Sequence, residues 1–277
     1  MPELPEVEVW RRALHGWMVG RRIVGVRVLA PTSVRARLGT RPVTPSAELL
    51  ERVQGMEGGE VLATARHGKR LGVQVGEGWW LLHLGMSGRF ERLSRDEPAP
   101  THARVGWGLD DGQVVWFCDA RRFGALVPLD SAAALREGLG PDALEPLDGE
   151  SLAARFRGRR AVKVALMDQS CLAGLGNIHA AEALWRARVA PARRVSELSV
   201  AEWAWLAEAI PRQLRAAIDQ MSEVDGFVYV TDGGEHVFAV YGREGLPCPR
   251  CGTPVARTVL GGRSTFWCPR CQPAEGG

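Results

Sequence analysis

Four cysteines stand as two short pairs, Cys248-Pro-Arg-Cys251 and Cys268-Pro-Arg-Cys271, with 16 residues between them. Each pair can turn two thiolates toward one point, and two such turns supply the four sulfur ligands of a tetrahedral zinc ion. The intervening stretch fits a β-hairpin, and Gly252, Gly261 and Gly262 give its turns the backbone freedom they need. Disulfides belong to oxidising compartments, and two copies of Cys-x-x-Cys in a short terminal unit favour metal over a redox pair. The spacing therefore predicts one structural Zn2+. With every position filled by a protein thiolate, that ion holds a fold and leaves no open site for chemistry.

The other end of the chain offers a nucleophile. Residues 1–8 read Met-Pro-Glu-Leu-Pro-Glu-Val-Glu, and removal of Met1 would leave the secondary amine of Pro2 at the start of a helix. A free α-amine titrates at about 7.7–8.0, and the positive end of a helix dipole lowers that further. The neutral amine is a nucleophile, and its attack on a sugar carbon gives an iminium, a fixed cation that draws electrons. The same residues also suit plain helix initiation, since proline and glutamate both favour the first turn. By themselves they leave both readings open.

Charge is near balance, with 35 basic and 32 acidic residues giving a net +3. Its distribution says more. Arg155, Arg157, Arg159, Arg160 and Lys163 place five cations in nine residues with no acid between them, and Arg186, Arg188, Arg193 and Arg194 form a second cluster. Such blocks suggest a stripe facing a polyanion, although ordinary solvated faces share the pattern. No apolar run approaches the ~18 residues that span a bilayer. The first twelve residues carry three glutamates and no apolar block, so they are not a secretory signal and a cytoplasmic protein is expected. Cys118, in a strand-like run, and Cys171, in a helical stretch, are expected to be buried small hydrophobes.

These groups need elements to position them, and 277 residues suffice for two or three compact units. Leu4, Val7, Trp10, Leu14 and Trp17 recur at helical spacing and predict a first helix ending near Gly20. Period-two runs follow at Val24, Val26 and Val28, at Leu71, Val73 and Val75, at 79–84 and at 113–117, separated by glycine turns. No strand–helix alternation appears, so a parallel sheet is not expected. The fold class is α+β: a helix on an antiparallel β-sandwich over 1–130, a linker and helical region over 131–225, and a loop and zinc hairpin over 226–277. Ser199, with Glu202 three residues on, marks a capping box for the longest helix.

Pro2-Glu-Leu-Pro-Glu-Val-Glu8 resembles the opening of the formamidopyrimidine-DNA glycosylases, bacterial enzymes that remove oxidised purines. Further matches follow in that family's order: His67-Gly-Lys69-Arg, His83-Leu-Gly-Met86-Ser-Gly88, Asp119-Ala-Arg121-Arg-Phe123-Gly124, Leu166-Met-Asp168, Gly174-Leu-Gly-Asn177-Ile and Tyr241-Gly-Arg243. The cysteine quartet, with Gly262-Arg263 inside it, closes the series. The matches span almost the whole chain. The resemblance implies a base-excision-repair glycosylase that is also an AP lyase acting on double-stranded DNA, with Pro2 attacking C1′. It implies Glu3 as the acid at the sugar ring oxygen, Glu6 ordering water or the amine, Lys69 assisting the first elimination, and Arg263 binding phosphate and assisting the second. Met86, Arg121 and Phe123 match the residues inserted where the damaged base is flipped out, although core packing would account for Met86 and Phe123 without the resemblance. Asn177, in a glycine-bracketed turn of the helix-two-turn-helix element, would hold phosphate with the neighbouring amides. Lys163, Arg159 and His102 would add backbone contacts.

The chain departs from the family pattern at three places. His179 stands where tyrosine is common, His102-Ala-Arg104 where two histidines are usual, and 223–237 looks shorter than the loop that covers the extruded base. The chemistry transfers, and the lesion preference is the point these departures bear on. An endonuclease VIII-like enzyme for oxidised pyrimidines is the near alternative, which Leu4 and the full Met86, Arg121 and Phe123 set argue against. A non-catalytic zinc-ribbon DNA-binding protein would leave Pro2, Glu3 and Lys69 without a joint role. One active site from one chain needs no second copy, so a monomer is expected.

Overall fold

The first helix, α1 (Leu4–Met18), buries Leu4, Val7, Trp10, Leu14 and Met18 on one face. The expected apolar stripe is therefore present, but Met18 takes the last core position and Trp17 lies half-buried beside it. Gly20 follows with φ +79°, a backbone state that favours glycine and ends the helix. A computed structural model describes residues 2–222 and 238–274. The chain forms two compact units, one built on Glu6–Glu137 and the other on Gly138–Gly277 together with Glu3–Pro5.

In the first unit eight strands follow: β1 (Ile23–Val28), β2 (Val61–His67), β3 (Arg70–Val75), β4 (Gly78–His83), β5 (Gly88–Ser94), β6 (Ala103–Leu109), β7 (Gln113–Asp119) and β8 (Ala125–Leu129). They make two four-stranded sheets, ordered β1-β6-β7-β5 and β2-β3-β4-β8, with every strand pairing antiparallel. A short helix, α2 (Ala47–Gln54), starts at Ser46, whose hydroxyl accepts from the Leu49 amide at 3.2 Å.

Two strands differ from their expected pattern. In β1 an irregularity between Ile23 and Gly25 turns Val24 outward and leaves Ile23 and Val26 in the core. In β7 the half-buried alternation is absent, because both of its faces are covered. Trp116 and Cys118 pack with Ala103 and Val114 on one side, while Phe117 lies 5.5 Å from Phe90. Cys118 is fully buried, as a small hydrophobe would be.

The second unit holds α3 (Gly149–Ala153), α4 (Val162–Leu166), α5 (Asn177–Arg186) and α6 (Val200–Ser222), then β9 (Ala256–Leu260) and β10 (Arg263–Trp267). The Ser199 hydroxyl accepts from the Glu202 amide at 3.3 Å and the Glu202 carboxylate accepts from the Ser199 amide at 2.8 Å, completing the capping box of α6. Cys171 lies in a turn before α5, half-buried, and not in a helix: the Asp168 backbone carbonyl accepts from the Cys171 and Leu172 amides, and its carboxylate caps the Ser170 amide, which closes the turn. The return to strand-like residues expected after Asp225 lies outside the described residues. Among those residues, no helix is long and apolar enough to cross a membrane.

Candidate catalytic and nucleic-acid site

In the second unit, the carboxylate of Glu3 sits on the N-terminus of α5. It accepts hydrogen bonds from the amides of Gly176 at 2.8 Å, Ile178 at 2.9 Å and His179 at 3.1 Å. Unpaired amides and the positive dipole end make a helix start a natural seat for an anion. The sequence assigned those amides to DNA phosphate; the chain's own Glu3 takes them instead. Glycines create the space. A Cβ on Gly176 would lie 2.3 Å from Glu3 Cδ, and one on Gly174, whose φ is +120°, would lie 2.3 Å from Leu4 Cδ1. The Leu4 amide in turn donates to the Gly174 carbonyl at 3.2 Å.

Asn177, the first residue of α5, uses its side chain inside the unit. Its Oδ1 accepts from the Lys163 ammonium, while Nδ2 donates to the Ser264 carbonyl at 3.0 Å and to the Tyr241 hydroxyl at 3.4 Å. Lys163 is fully buried, so it is not part of the exposed basic stripe, although Arg155, Arg157, Arg159 and Arg160 are. Burial, reinforced by the positive charge of Arg263 and opposed by Glu3, pulls the Lys163 ammonium down to about 8. Arg263 itself is exposed at the tip of the β9–β10 hairpin. The second basic cluster is broken up: Arg193 pairs with Glu202, and Arg186 donates to Gln213 at 2.5 Å.

The tip is held by the four cysteines. Their sulfurs all lie within 4.8 Å of one another, with Cys251 and Cys268 at 3.5 Å and Cys248 and Cys271 at 4.0 Å. Sulfurs at the corners of a tetrahedron around zinc stand about 3.8 Å apart, from Zn–S bonds of ~2.3 Å. The donor set fits. Hydrogen bonding from Thr253 draws the Cys251 thiol down to about 6, while burial and the neighbouring sulfurs push Cys271 up to about 12. A divalent cation removes that conflict by stabilising all four as thiolates. Val240 and Val255 pack with Cys248 and Cys268 into a small core of their own.

In the first unit, Glu6 is buried on α1 and Pro2 is buried ahead of it. Glu8, two residues further, accepts from Arg11, Arg12 and Arg66 at 2.9–3.0 Å. Burial alone would raise its carboxyl, but Arg11, Arg12 and Arg66 outweigh that and hold it at about 2. Arg66 also donates to the Gly68 carbonyl at 3.0 Å. Gly68 and Lys69 form the two-residue turn between β2 and β3, so Glu8 ties that turn to the helix that follows Pro2. Lys69 is half-buried there.

Met86 and Phe123 are not core residues. They are 36% and 49% exposed, on two loops that Asp119 binds together. The Asp119 carboxylate, 1% exposed, accepts from the Ser87 hydroxyl at 2.5 Å, the Arg121 amide at 3.2 Å and the Gly124 amide at 2.7 Å. A Cβ on Gly85 would lie 2.5 Å from the Gly124 amide nitrogen, so the loops touch backbone to backbone. The Arg121 guanidinium stands 5.1 Å from the Phe123 ring centre. His102 is exposed in a turn at φ +65°, and its carbonyl accepts from the Asp119 amide at 3.0 Å.

Sequence reading missed Glu182. Buried on α5, its carboxylate accepts from the amides of Ala239, Val240 and Tyr241 at 2.8–3.0 Å, fixing the segment that reaches Asn177. An acid set among alanines and leucine in residues 180–184 was the available signal.

Residues 1–126 match the family described as the formamidopyrimidine-DNA glycosylase N-terminal domain, 139–226 its H2TH domain, and 245–274 the zinc finger found in FPG and IleRS. A formamidopyrimidine-DNA glycosylase of Stenotrophomonas maltophilia is 39% identical over 280 residues, covering 98% of this chain and all of that one. This chain belongs to the formamidopyrimidine-DNA glycosylase family. Among solved structures, the Lactococcus lactis Fpg bound to DNA with an abasic site is similar at a TM-score of 0.83 and 27% identity, over 98% of this chain and 100% of that one. The same Lactococcus protein bound to DNA containing an oxidised pyrimidine is similar at 0.82 and 28%, over 98% and 100%. The cysteine quartet is thus the zinc finger of a formamidopyrimidine-DNA glycosylase, with one structural zinc ion.

Proposed function

We propose that this member of the family excises oxidised purines, 8-oxoguanine and formamidopyrimidines, from double-stranded DNA and then cuts the strand. The observation that carries the reading is the carboxylate of Glu3, locked by three amides in the residue next to the Pro2 nucleophile. Once Met1 is removed, the Pro2 nitrogen attacks C1′ of the damaged nucleotide and the glycosidic bond breaks, releasing the base. Glu3 takes the proton the nitrogen sheds and returns it to the ring oxygen as the sugar opens to an iminium. The iminium acidifies C2′. Loss of that proton expels the 3′ phosphate, with Lys69 assisting. A second elimination, with Arg263 on the zinc hairpin, expels the 5′ phosphate. Glu6 orders water or the amine.

The buried base must leave the stack first, at a cost of a few kcal/mol. Exposed Met86 and Phe123 and the charge of Arg121 suit wedge, stack and orphan-base contact. Arg159 and His102 would hold the backbone from outside, whereas buried Lys163 and half-buried Asn177 contribute as a pair that sets the hairpin carrying Arg263. Single-turnover rates on duplexes with 8-oxoguanine and with an oxidised pyrimidine test the substrate assignment. Faster excision of 8-oxoguanine, with phosphate left on both sides of the gap, is expected. A clear pyrimidine preference would favour the endonuclease VIII-like reading.

A further inference from the structure

The helix that seats Glu3 at its start has a second feature at its other end, about 15 Å away along the axis. A cavity of about 550 Å3 opens at the C-terminus of α5, against α6 and the first cysteine turn. No catalytic residue lines it, and Arg186 and Arg188 reach it from the second basic cluster, which the fold breaks up instead of presenting as a stripe. Its walls are cationic and aromatic: Arg188, Arg212 and Arg250 surround it with Trp185 and Trp205, and Glu208 is the single acid among the described residues that line it.

Three observations mark the cavity as a prepared site. Arg188 occupies the position after the α5 cap, where the Arg188 amide donates to the Trp185 carbonyl at 3.2 Å and the Val189 amide to the Leu184 carbonyl at 3.0 Å. That closing motif takes a left-handed residue, for which glycine is the default, yet arginine stands there at φ +60°. Arg250 is fixed in place, its guanidinium 4.1 Å over the Trp185 ring and donating to the Trp185 carbonyl at 3.0 Å. Finally, the cations crowd one another. Burial pulls Arg186 below its ordinary value; Glu182 opposes this, and Arg212 and Arg250 add to the lowering. Glu182 is spent on three backbone amides, and Glu208 stands 3.9 Å from Arg212.

We propose that this cavity is a docking site for an acidic peptide segment of another protein that also carries an aromatic side chain. Guanidiniums bind carboxylates in pairs of parallel hydrogen bonds, and Arg188 and Arg212 line the cavity beside Arg250, whose charge adds to theirs. The aromatic side chain lies on Trp205, which is 50% exposed. Glu208 accepts a peptide N–H; in a nucleic-acid groove it would face phosphate. A single concavity at one helix end also lacks the continuous track that a strand of phosphates requires.

The test uses the full-length, zinc-loaded protein and a fluorescein-labelled peptide of alternating aspartate and glutamate with one phenylalanine, followed by anisotropy at low salt. Wild-type protein is expected to bind it. Arg188→Glu with Arg212→Glu should weaken binding about ten-fold or more, and Trp205→Ala should erase the advantage of phenylalanine over alanine in the peptide. Base excision by these variants without peptide should match wild type, which shows that they fold. Arg159→Glu should leave peptide binding unchanged, which separates the cavity from the DNA surface. No binding, binding insensitive to the charge reversals, or displacement by oligothymidylate through these same arginines would each overturn the proposal, the last assigning the groove to nucleic acid.

Discussion

Glu3 and Gly176 fit each other so closely that no other residue type can stand at 176 without moving the carboxylate. The Gly176 amide donates to Glu3 at 2.8 Å, and a side chain there would begin 2.3 Å from the carboxyl carbon. The glycine's own backbone, at φ −124°, is open to any residue. The constraint is the acid, not the chain.

Gly176→Ala therefore separates positioning from folding. The variant should retain its zinc and its melting behaviour within a few degrees, yet lose base excision by about 100-fold, the lower range for a misplaced acid–base group. Single-turnover excision beside a thermal melt checks this. Full activity in the variant would show that the seat of Glu3 is not part of the chemistry.

Met86→Ala and Phe123→Ala should each change stability by no more than about 0.5 kcal/mol, since both side chains are largely outside the core. Excision from duplex DNA should nonetheless slow, while cleavage at a preformed abasic site in single-stranded DNA should change little. A large loss of stability would return these residues to a packing role. Trp116→Ala is the contrast: fully buried, it should cost about 3–5 kcal/mol.

The pH dependence of stability should carry the mark of Glu8. Its folded carboxyl titrates at about 2 against an ordinary 4.5, so the folded state favours the charged form. That stabilisation is complete above pH 4.5 and is lost as pH falls toward 2. Allowing for solvent screening, Glu8→Gln should destabilise by about 1–3 kcal/mol at neutral pH, and the gap to wild type should close in acid. Denaturant melts of both proteins at pH 7 and pH 3 measure the gap. A gap that widened in acid would contradict the arginine cluster as its cause.

Removing zinc should act on the second unit alone. Arg263 and Ser264 sit on the hairpin between the cysteine pairs, and Ser264 is the carbonyl that Asn177 holds. Chelation should abolish lesion-DNA binding and strand cutting, and restoring Zn2+ should restore both. Strand cutting that survives complete chelation would detach Arg263 from the second elimination.

The sequence disclosed those parts of the fold whose signals are local. The helical spacing from Leu4 to Leu14, the Ser199 capping box and the doubled cysteine turns each carry their own geometry, and each stands where expected. What stayed hidden depends on partners far along the chain. Nothing near Lys163 in sequence says that its ammonium is buried against Asn177, fourteen residues on. Likewise, the claim of Glu3 on the α5 amides spans more than 170 residues. β7 misled for a related reason: alternation reports one solvated face, and this strand has none.

The proposed chemistry runs through a covalent bond between the Pro2 nitrogen and deoxyribose. Borohydride reduction during turnover on an 8-oxoguanine duplex, followed by proteolysis and mass spectrometry, locates that bond. The adduct should lie on the N-terminal peptide, on proline, with Met1 absent. An adduct on Lys69 or another lysine, or undiminished turnover by a chain whose terminus is acetylated, would rule out Pro2 as the nucleophile.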